Sequence, residues 1–323
     1  MYHVLVTGAT GFIGSHLVEA LLTQGHEVYC LVRDKTRLRW LAGLPINIIE
    51  GDCTDFSSLK LPQVEVIYHL AGRVKAKKTV TFYQVNVYGT INLLKAIVQQ
   101  KLKLKKFIFV STLAVHGLPD VRVIRADDPP FPQTHYAKSK YLAEQVVMAY
   151  KDIFPVVILR PTAVYGPRDK EFLGYLQCIK HGLAPVLNPK GILSFCYVKD
   201  LVGFLLAALE KEVPSGKVLL ISDGQAYTWE EAVSVIARQM QKKPLLLKPP
   251  KYLAFLLALM AEGISLFLDQ PLIFSRDKLK EIFQKSWFCD IAETCNILGY
   301  IPQYDFTRGM QETVEWYQKR GWL

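Results

Sequence analysis

Tyr136 and Lys140 stand four residues apart in Tyr136-Ala-Lys138-Ser139-Lys140, so on a helix a phenol and an ammonium share one face. A free phenol titrates near pH 10, too high for a proton carrier at neutral pH. A neighbouring cation favours the phenolate and should lower that value. The same lysine can hold ribose hydroxyls. Twenty-four residues before the tyrosine, Ser111-Thr112 follows an apolar run, which places two hydroxyls at the carboxyl end of a strand. From there Thr112 can hydrogen-bond the substrate oxygen that Tyr136 protonates. Strand-end hydroxyl, tyrosine and lysine together make a proton-transfer constellation. Taken singly, each also reads as ordinary helix surface or as a cap.

These groups need a scaffold, and the chain's beginning supplies it. Val4-Leu-Val-Thr-Gly8-Ala-Thr-Gly11-Phe-Ile-Gly14-Ser-His-Leu17 reads as strand, tight turn and helix. Gly8 allows a turn conformation that other residues resist, Gly11 lets backbone approach a phosphate, and Gly14 lets helix pack close to strand. The helix N-terminus then offers free N–H groups to a pyrophosphate. Further strands are expected at Glu27–Val32, Ile46–Glu50, Val64–Leu70, Phe107–Ser111 and Val156–Arg160. Helices are expected after Arg33-Asp34-Lys35 to about Ala42, over about Thr79–Gln99 and over Tyr136–Ala149. The alternation predicts an α/β fold, a Rossmann doubly wound parallel sheet, with its ligand at the carboxyl ends of the strands. Residues 1–165 would form the dinucleotide-binding domain, with 197–225 returning to it through the helix Val198–Leu209 and the strand Lys217–Ile221. The stretch 166–323, broken by prolines and glycines and then mostly helical, would form a substrate lobe.

The chain's 323 residues, 50% of them apolar, suffice for one large or two interlocked domains. A net charge of +10 suggests an anionic cofactor, substrate or membrane surface, or simply a basic exterior. No basic helix with interleaved aromatics argues for nucleic acid. The six scattered cysteines form no Cys-x-x-Cys pair, which points to reduced thiols in the cytoplasm and to no metal framework. The first strand starts too early for a signal peptide. Residues 253–268 (LAFLLALMAEGISLFL) are too short to span a membrane and carry Glu262. A buried helix or helix pair is the first expectation for them. A helix lying on a membrane surface, flanked by Lys248 and Lys251, is the alternative.

Taken together, Gly8-x-x-Gly11-Phe-Ile-Gly14, Gly51-Asp52, His69-Leu-Ala71-Gly72, Asn86, Ser111-Thr112, Tyr136-x-x-x-Lys140 and Arg160-Pro-x-x-Val-Tyr-Gly-Pro167 resemble the extended short-chain dehydrogenase/reductases, the nucleotide-sugar epimerase/dehydratase superfamily. The likeness runs through to Glu312-Thr-x-x-Trp-Tyr317. It implies that Tyr136 is the catalytic acid/base, that Lys140 orients the ribose and that Thr112 holds the substrate oxygen. It also implies a cofactor site built from Gly8, Thr10, Gly11, Phe12, Ile13, Gly14, Arg33, Asp52, Cys53, Leu70, Ala71, Gly72, Asn86, Ser111, Tyr136, Lys140, Pro161 and Ala163, with Asp52 and Cys53 by the adenine. A homodimer through the helices near 79–99 and 136–149 is a further implication.

Departures from the family pattern narrow the chemistry. Dehydratases of this kind carry Asp-Glu after the catalytic threonine, whereas Leu113-Ala114 follows Thr112 here. Nucleotide-sugar epimerases usually carry an asparagine after the sixth strand and an arginine before the aromatic segment, both on the diphosphate. Thr162-Ala163 and Leu193 stand there instead. The Arg-Pro-x-x-Val-Tyr-Gly-Pro form and the apolar 253–268 stretch are more similar to the 3β-hydroxysteroid dehydrogenase and dihydroflavonol reductase branches. Hydride transfer on an apolar ketone or secondary alcohol is therefore the first expectation. A nucleotide-sugar 4-epimerase with tightly held NAD and a non-catalytic dinucleotide sensor are the alternatives. At the end of the second strand, Arg33 suits a 2′-phosphate and favours NADP(H), while Asp34 leaves NAD(H) open.

Overall fold

The computed structural model describes residues 1–117, 123–265 and 275–323, the last three residues of the second segment by their backbone alone. In chain order, β1 (His3–Thr7) leads through α1 (Phe12–Thr23) to β2 (Glu27–Val32), β3 (Asn47–Glu50) and β4 (Val66–His69). Then come α2 (Val80–Tyr83), α3 (Gly89–Gln99), β5 (Lys106–Val110), α4 (His135–Met148), β6 (Val156–Pro161) and β7 (Ala163–Tyr165). The chain goes on through α5 (Glu171–Lys180), β8 (Leu183–Pro185), β9 (Ile192–Leu193), β10 (Phe195–Tyr197), α6 (Val198–Glu210) and β11 (Lys217–Ile221). It finishes with β12 (Tyr227–Thr228), α7 (Trp229–Gln239), β13 (Leu245–Leu247), α8 (Lys251–Ser265), α9 (Arg276–Ile282), α10 (Ala292–Leu298) and α11 (Phe306–Lys319).

Seven of these strands make one parallel sheet in the order β11-β6-β5-β4-β1-β2-β3. The order reverses between β1 and β4, which is where such sheets open a crevice for a ligand. Side chains alternate along each strand, so Val4 and Val6 pack under α1 and α6 while Leu5 faces the core beneath α3 and α4. Strands covered on both faces must be apolar throughout, which is why they stand out as unbroken apolar runs. The doubly wound parallel sheet expected from the sequence is thus present, with β11 lying beside β6.

A second core gathers Tyr165, Phe195, Tyr197 and Phe306 from β7, β10 and α11, with Phe195 and Phe306 stacked at 4.1 Å between ring centroids. β6 and α4 are joined by a buried, two-pronged ion pair in which Arg160 donates through Nε to Glu144 Oε1 at 2.9 Å and through Nη2 to Oε2 at 2.5 Å. Such a pair is costly to break because either partner alone would be an uncompensated buried charge.

Three expectations need correction. The helix expected between Lys35 and about Ala42 is absent apart from a single turn at Arg39–Leu41. Asp34 instead folds back to accept from the Thr36 amide and hydroxyl, and Arg39 takes a positive φ of 55°. The run 79–99 is helical but widened into a π-turn over Gln84–Tyr88. The stretch 253–268 is helical as far as Ser265, yet of its described side chains only Ala254 and Ala258 are buried. Leu253, Phe255, Leu256, Leu257, Leu259 and Met260 are exposed, so the expectation of a buried helix fails. Residues 266–268 of that stretch lie outside the described residues. Among the described residues no helix is long and apolar enough to cross a membrane.

Candidate active site

Gly8 follows β1 with a φ of +72°, and Gly11 closes the turn by donating its amide to the Gly8 carbonyl at 3.0 Å. A Cβ on Gly8 would lie 2.7 Å from the Ala71 nitrogen, and one on Gly14 would lie 2.3 Å from the Gly8 oxygen. Both positions therefore exclude any side chain. Gly11 is the N-cap of α1 and offers no side-chain cap, so the first amides of the helix, at Phe12 and Ile13, point outward without an intrahelical acceptor. A backbone cradle facing a helix N-terminus suits a pyrophosphate. Thr10 lies on this same turn.

The turn is pinned to β4 by a buried relay. The Ala71 amide donates to Thr7 Oγ1, which donates to His69 Nδ1 at 2.7 Å. His69 Nε2 donates to Thr90 Oγ1 at 2.9 Å, because the Thr90 hydroxyl hydrogen already goes to the Asn86 carbonyl. Burial, with Lys140 adding to it, pushes the His69 pKa down to about 3 and keeps the ring neutral. Asn86, on the π-turn, accepts from the Arg73 amide at 2.7 Å and donates to the Arg73 carbonyl and to Ser139 Oγ. It thereby ties the segment after β4, with Leu70, Ala71 and Gly72, to α4.

At the far end of the crevice, Asp52 Oδ1 accepts from the Thr54 amide and hydroxyl, and Cys53 packs on Gly89. Burial pushes the Cys53 thiol up to about 12, while the nearby Arg33 pulls the other way. Arg33 is exposed and has no ion pair among the described residues. Asp34, in contrast, is held below the usual carboxylate range first by Thr36 and then by Arg37.

At the centre, α4 presents Tyr136 and Lys140. Lys140 is buried, donates from Nζ to the Val110 carbonyl at 2.8 Å and sits 4.1 Å from the Phe109 ring centroid. Desolvation lowers its pKa to about 8, against a smaller upward pull from Glu144. The Thr112 hydroxyl accepts from the Ala114 amide at 3.2 Å, and its side chain acts on the Tyr136 phenol by pulling its pKa down. The expected lowering of the tyrosine's pKa by Lys140 is not what these side chains produce. Burial dominates and raises it, Glu281 and Glu171 raise it further, and Thr112 only partly offsets them. The lysine's charge is instead taken up by Val110 and Phe109. Ser111 Oγ, buried at the end of β5, has no partner among the described residues, and neither has Thr162 Oγ1 just after β6. Pro161 is buried and Ala163 exposed at the start of β7. A phosphate cradle that no Cβ could share and an orphaned hydroxyl beside the Tyr136–Thr112 pair fit a nicotinamide dinucleotide.

Several residues here escaped the sequence reading. The N-terminus of α4 is clamped by α9, where Thr134 Oγ1 donates to Glu281 Oε1 at 2.7 Å and the His135 amide donates to Asp277 Oδ2 at 2.8 Å. Lys75 pairs with Glu171 at 2.5 Å, joining the segment after β4 to α5. Both links join residues far apart in the chain, and nothing in the local pattern could have pointed to them.

The model of the NAD dependent epimerase/dehydratase family matches residues 4–222. A ceramide reductase of Caulobacter vibrioides is 30% identical over 99% of this chain and 96% of its own. A decarboxylating sterol-4-alpha-carboxylate 3-dehydrogenase of Schizosaccharomyces pombe is 28% identical over 98% of this chain and 97% of its own. Among solved structures, a UDP-glucose 4-epimerase of Thermotoga maritima with UDP-glucose is similar with a TM-score of 0.80, covering 98% of this chain and 99% of that one. Its identity of 22% makes this a likeness of fold.

Proposed function

The chain belongs to the NAD dependent epimerase/dehydratase family, and from that premise we propose that it transfers hydride between a nicotinamide and a ketone or secondary alcohol on a lipid-like substrate. The observation that carries this reading is Tyr136 one helical turn from buried Lys140, which is held on the Val110 carbonyl at the end of β5, with no acid following Thr112. Leu113 is buried and Ala114 brings only its amide, so the site has no carboxylate there for eliminating water. The names of two relatives, a ceramide reductase and a sterol dehydrogenase, support an apolar substrate.

A bound dinucleotide would supply the hydride to a carbonyl carbon or, in the oxidised form, accept one from an alcohol. Gly8, Thr10, Gly11, Phe12, Ile13 and Gly14 would hold its pyrophosphate, and Asp52, Cys53 and Arg33 its adenosine end. Arg33, with Asp34 turned onto Thr36 and Arg37, supports NADP(H) over NAD(H). Ser111, Lys140, Pro161 and Ala163 would lie along the nicotinamide half, and Asn86 would act by fixing Leu70, Ala71 and Gly72 and the start of α4. Burial keeps the Tyr136 phenol protonated at neutral pH, so it is set to protonate the oxygen that gains charge as a carbonyl is reduced. In the other direction the phenolate left by that transfer would take the alcohol's proton back. Thr112 aligns that substrate oxygen with the phenol. Residues 166–323 would shape the substrate side. Two copies would pair through α2, α3 and α4, where Val80, Val98 and Leu142 are exposed.

A nucleotide-sugar 4-epimerase is the second reading, supported by the fold likeness to UDP-glucose 4-epimerase. Thr162 and Leu193, at positions where that chemistry usually has diphosphate-gripping side chains, count against it. The test is Tyr136→Phe. Turnover should fall by about 10²–10⁴-fold, the usual worth of a positioned acid, with cofactor affinity kept. Unchanged turnover would overturn the assignment of the phenol.

A further inference from the structure

α8 inverts the usual arrangement of a surface helix. A helix on a soluble protein turns its large apolar residues inward and its polar ones outward. In α8 the small residues face in, with Ala254 and Ala258 packing on Leu279 together with Leu187, Ile282 and Phe283. The large residues face out, Tyr252 being 76% exposed, Leu256 51% and Met260 58%. The apolar surface continues onto the neighbouring strand pair, because β13 runs parallel to β8 and Leu245, Leu246 and Leu247 are all exposed. An exposed apolar surface of this extent marks a binding face.

Charge says what covers it. Residues 241–261 contain Lys242, Lys243, Lys248 and Lys251 and no aspartate or glutamate. Those lysines immediately precede β13 and α8 or open the helix, so they fringe the apolar face. Lys248 is paired with Glu230 and Lys251 lies over the Phe283 ring, while Glu262 near the far end of the helix is paired with Arg276, so the fringe stays basic and an anionic bilayer meets both the lysines and the apolar side chains. α8 runs about 22 Å over its described residues at 1.5 Å per residue, long enough to lie in the interface, and among the described residues no helix is long and apolar enough to span. It begins after Pro250, whose carbonyl accepts from the Leu253 amide, so its N-terminal turn is preset.

We propose that α8 and β13 form a docking face for the surface of an anionic membrane. The face lies one helix away from the candidate site, since α9 packs Leu279 against Ala254 and Ala258 and sends Asp277 and Glu281 to the start of α4. A membrane held there places the substrate lobe at the lipid. This inference does not depend on the chemistry assigned to Tyr136.

Flotation of the full chain with vesicles tests it. Binding should be strong to phosphatidylcholine vesicles containing phosphatidylglycerol, weak to phosphatidylcholine alone, and reduced by salt. Leu256→Glu with Leu259→Glu should weaken it by about tenfold or more, the worth of withdrawing one buried leucine or more from lipid. The melting transition and nicotinamide-cofactor binding of that variant should stay as in the wild type. Should that variant fail to fold, Tyr252→Trp serves instead, and its added indole fluorescence should shift to the blue and be quenched by brominated lipid. Absence of flotation with anionic vesicles, equal flotation of the double variant, or an unshifted signal from the added indole would each overturn the proposal. So would a wild-type oligomer that the double variant splits without lipid, since the face would then belong to a second copy.

Discussion

At the scale of single residues, the site rests on groups whose ordinary acidity has been moved by burial. Tyr136 is raised, Lys140 comes down to about 8 and His69 to about 3. For His69 this has a consequence for stability. Folded, the ring stays neutral until about pH 3, while an exposed histidine takes its proton near 6.5. Between those values the unfolded chain holds the extra proton, so the contribution is complete above about pH 6.5 and lost as pH falls toward 3. Thermal melts of wild type and His69→Gln over that window should show the steeper loss in wild type. Equal slopes would mean that the ring is not buried neutral. The relay from Thr7 through His69 to Thr90 and Asn86 explains why it is so placed, since each bond fixes a piece of backbone that borders the crevice.

At the scale of elements, α4 carries the candidate proton donor and α9 holds its first turn. Thr134 caps α4 by accepting from the Ala137 amide and passes its own hydrogen to Glu281. Thr134→Ala removes that cap, which should cost about 0.5–2 kcal/mol and lower the melting temperature. Glu281→Gln should act differently. It keeps a carbonyl to accept from Thr134 but removes one of the charges that raise the Tyr136 pKa, so the alkaline limb of kcat/KM should move to lower pH. An unmoved limb would show that Glu281 does not reach the phenol. The strands of the sheet, the glycine turn and the Tyr136–Lys140 face were legible in the sequence because each is a local pattern of apolar runs, fixed spacings or helical period. The clamp was not, because Thr134 and Glu281 are 147 residues apart. The loop after β2 was misread as a helix because charged residues can lie on a helix or a loop, and the Asx turn at Asp34 won. The orientation of α8 was illegible for a different reason. A helix apolar on nearly every face has no period to say which face is covered, and only the packing of its two alanines on α9 settles it.

At the scale of the whole molecule, one parallel sheet sets a glycine turn, a buried lysine, Tyr136 and Thr112 along its carboxyl edge, and a second aromatic core stands beside it. That arrangement serves both a reductase with an exchangeable cofactor and an epimerase that never lets its cofactor go. The two differ in net redox change, which makes the decisive measurement simple. Purified protein is assayed for bound nucleotide, then mixed with NADPH or NADH and a long-chain ketone, and absorbance at the reduced nicotinamide band is followed for wild type and Tyr136→Phe. The reductase account predicts little co-purifying nucleotide and steady consumption of NADPH faster than of NADH, abolished in Tyr136→Phe. Tightly held NAD⁺ that leaves only on denaturation, with no net consumption of either nucleotide, would contradict it.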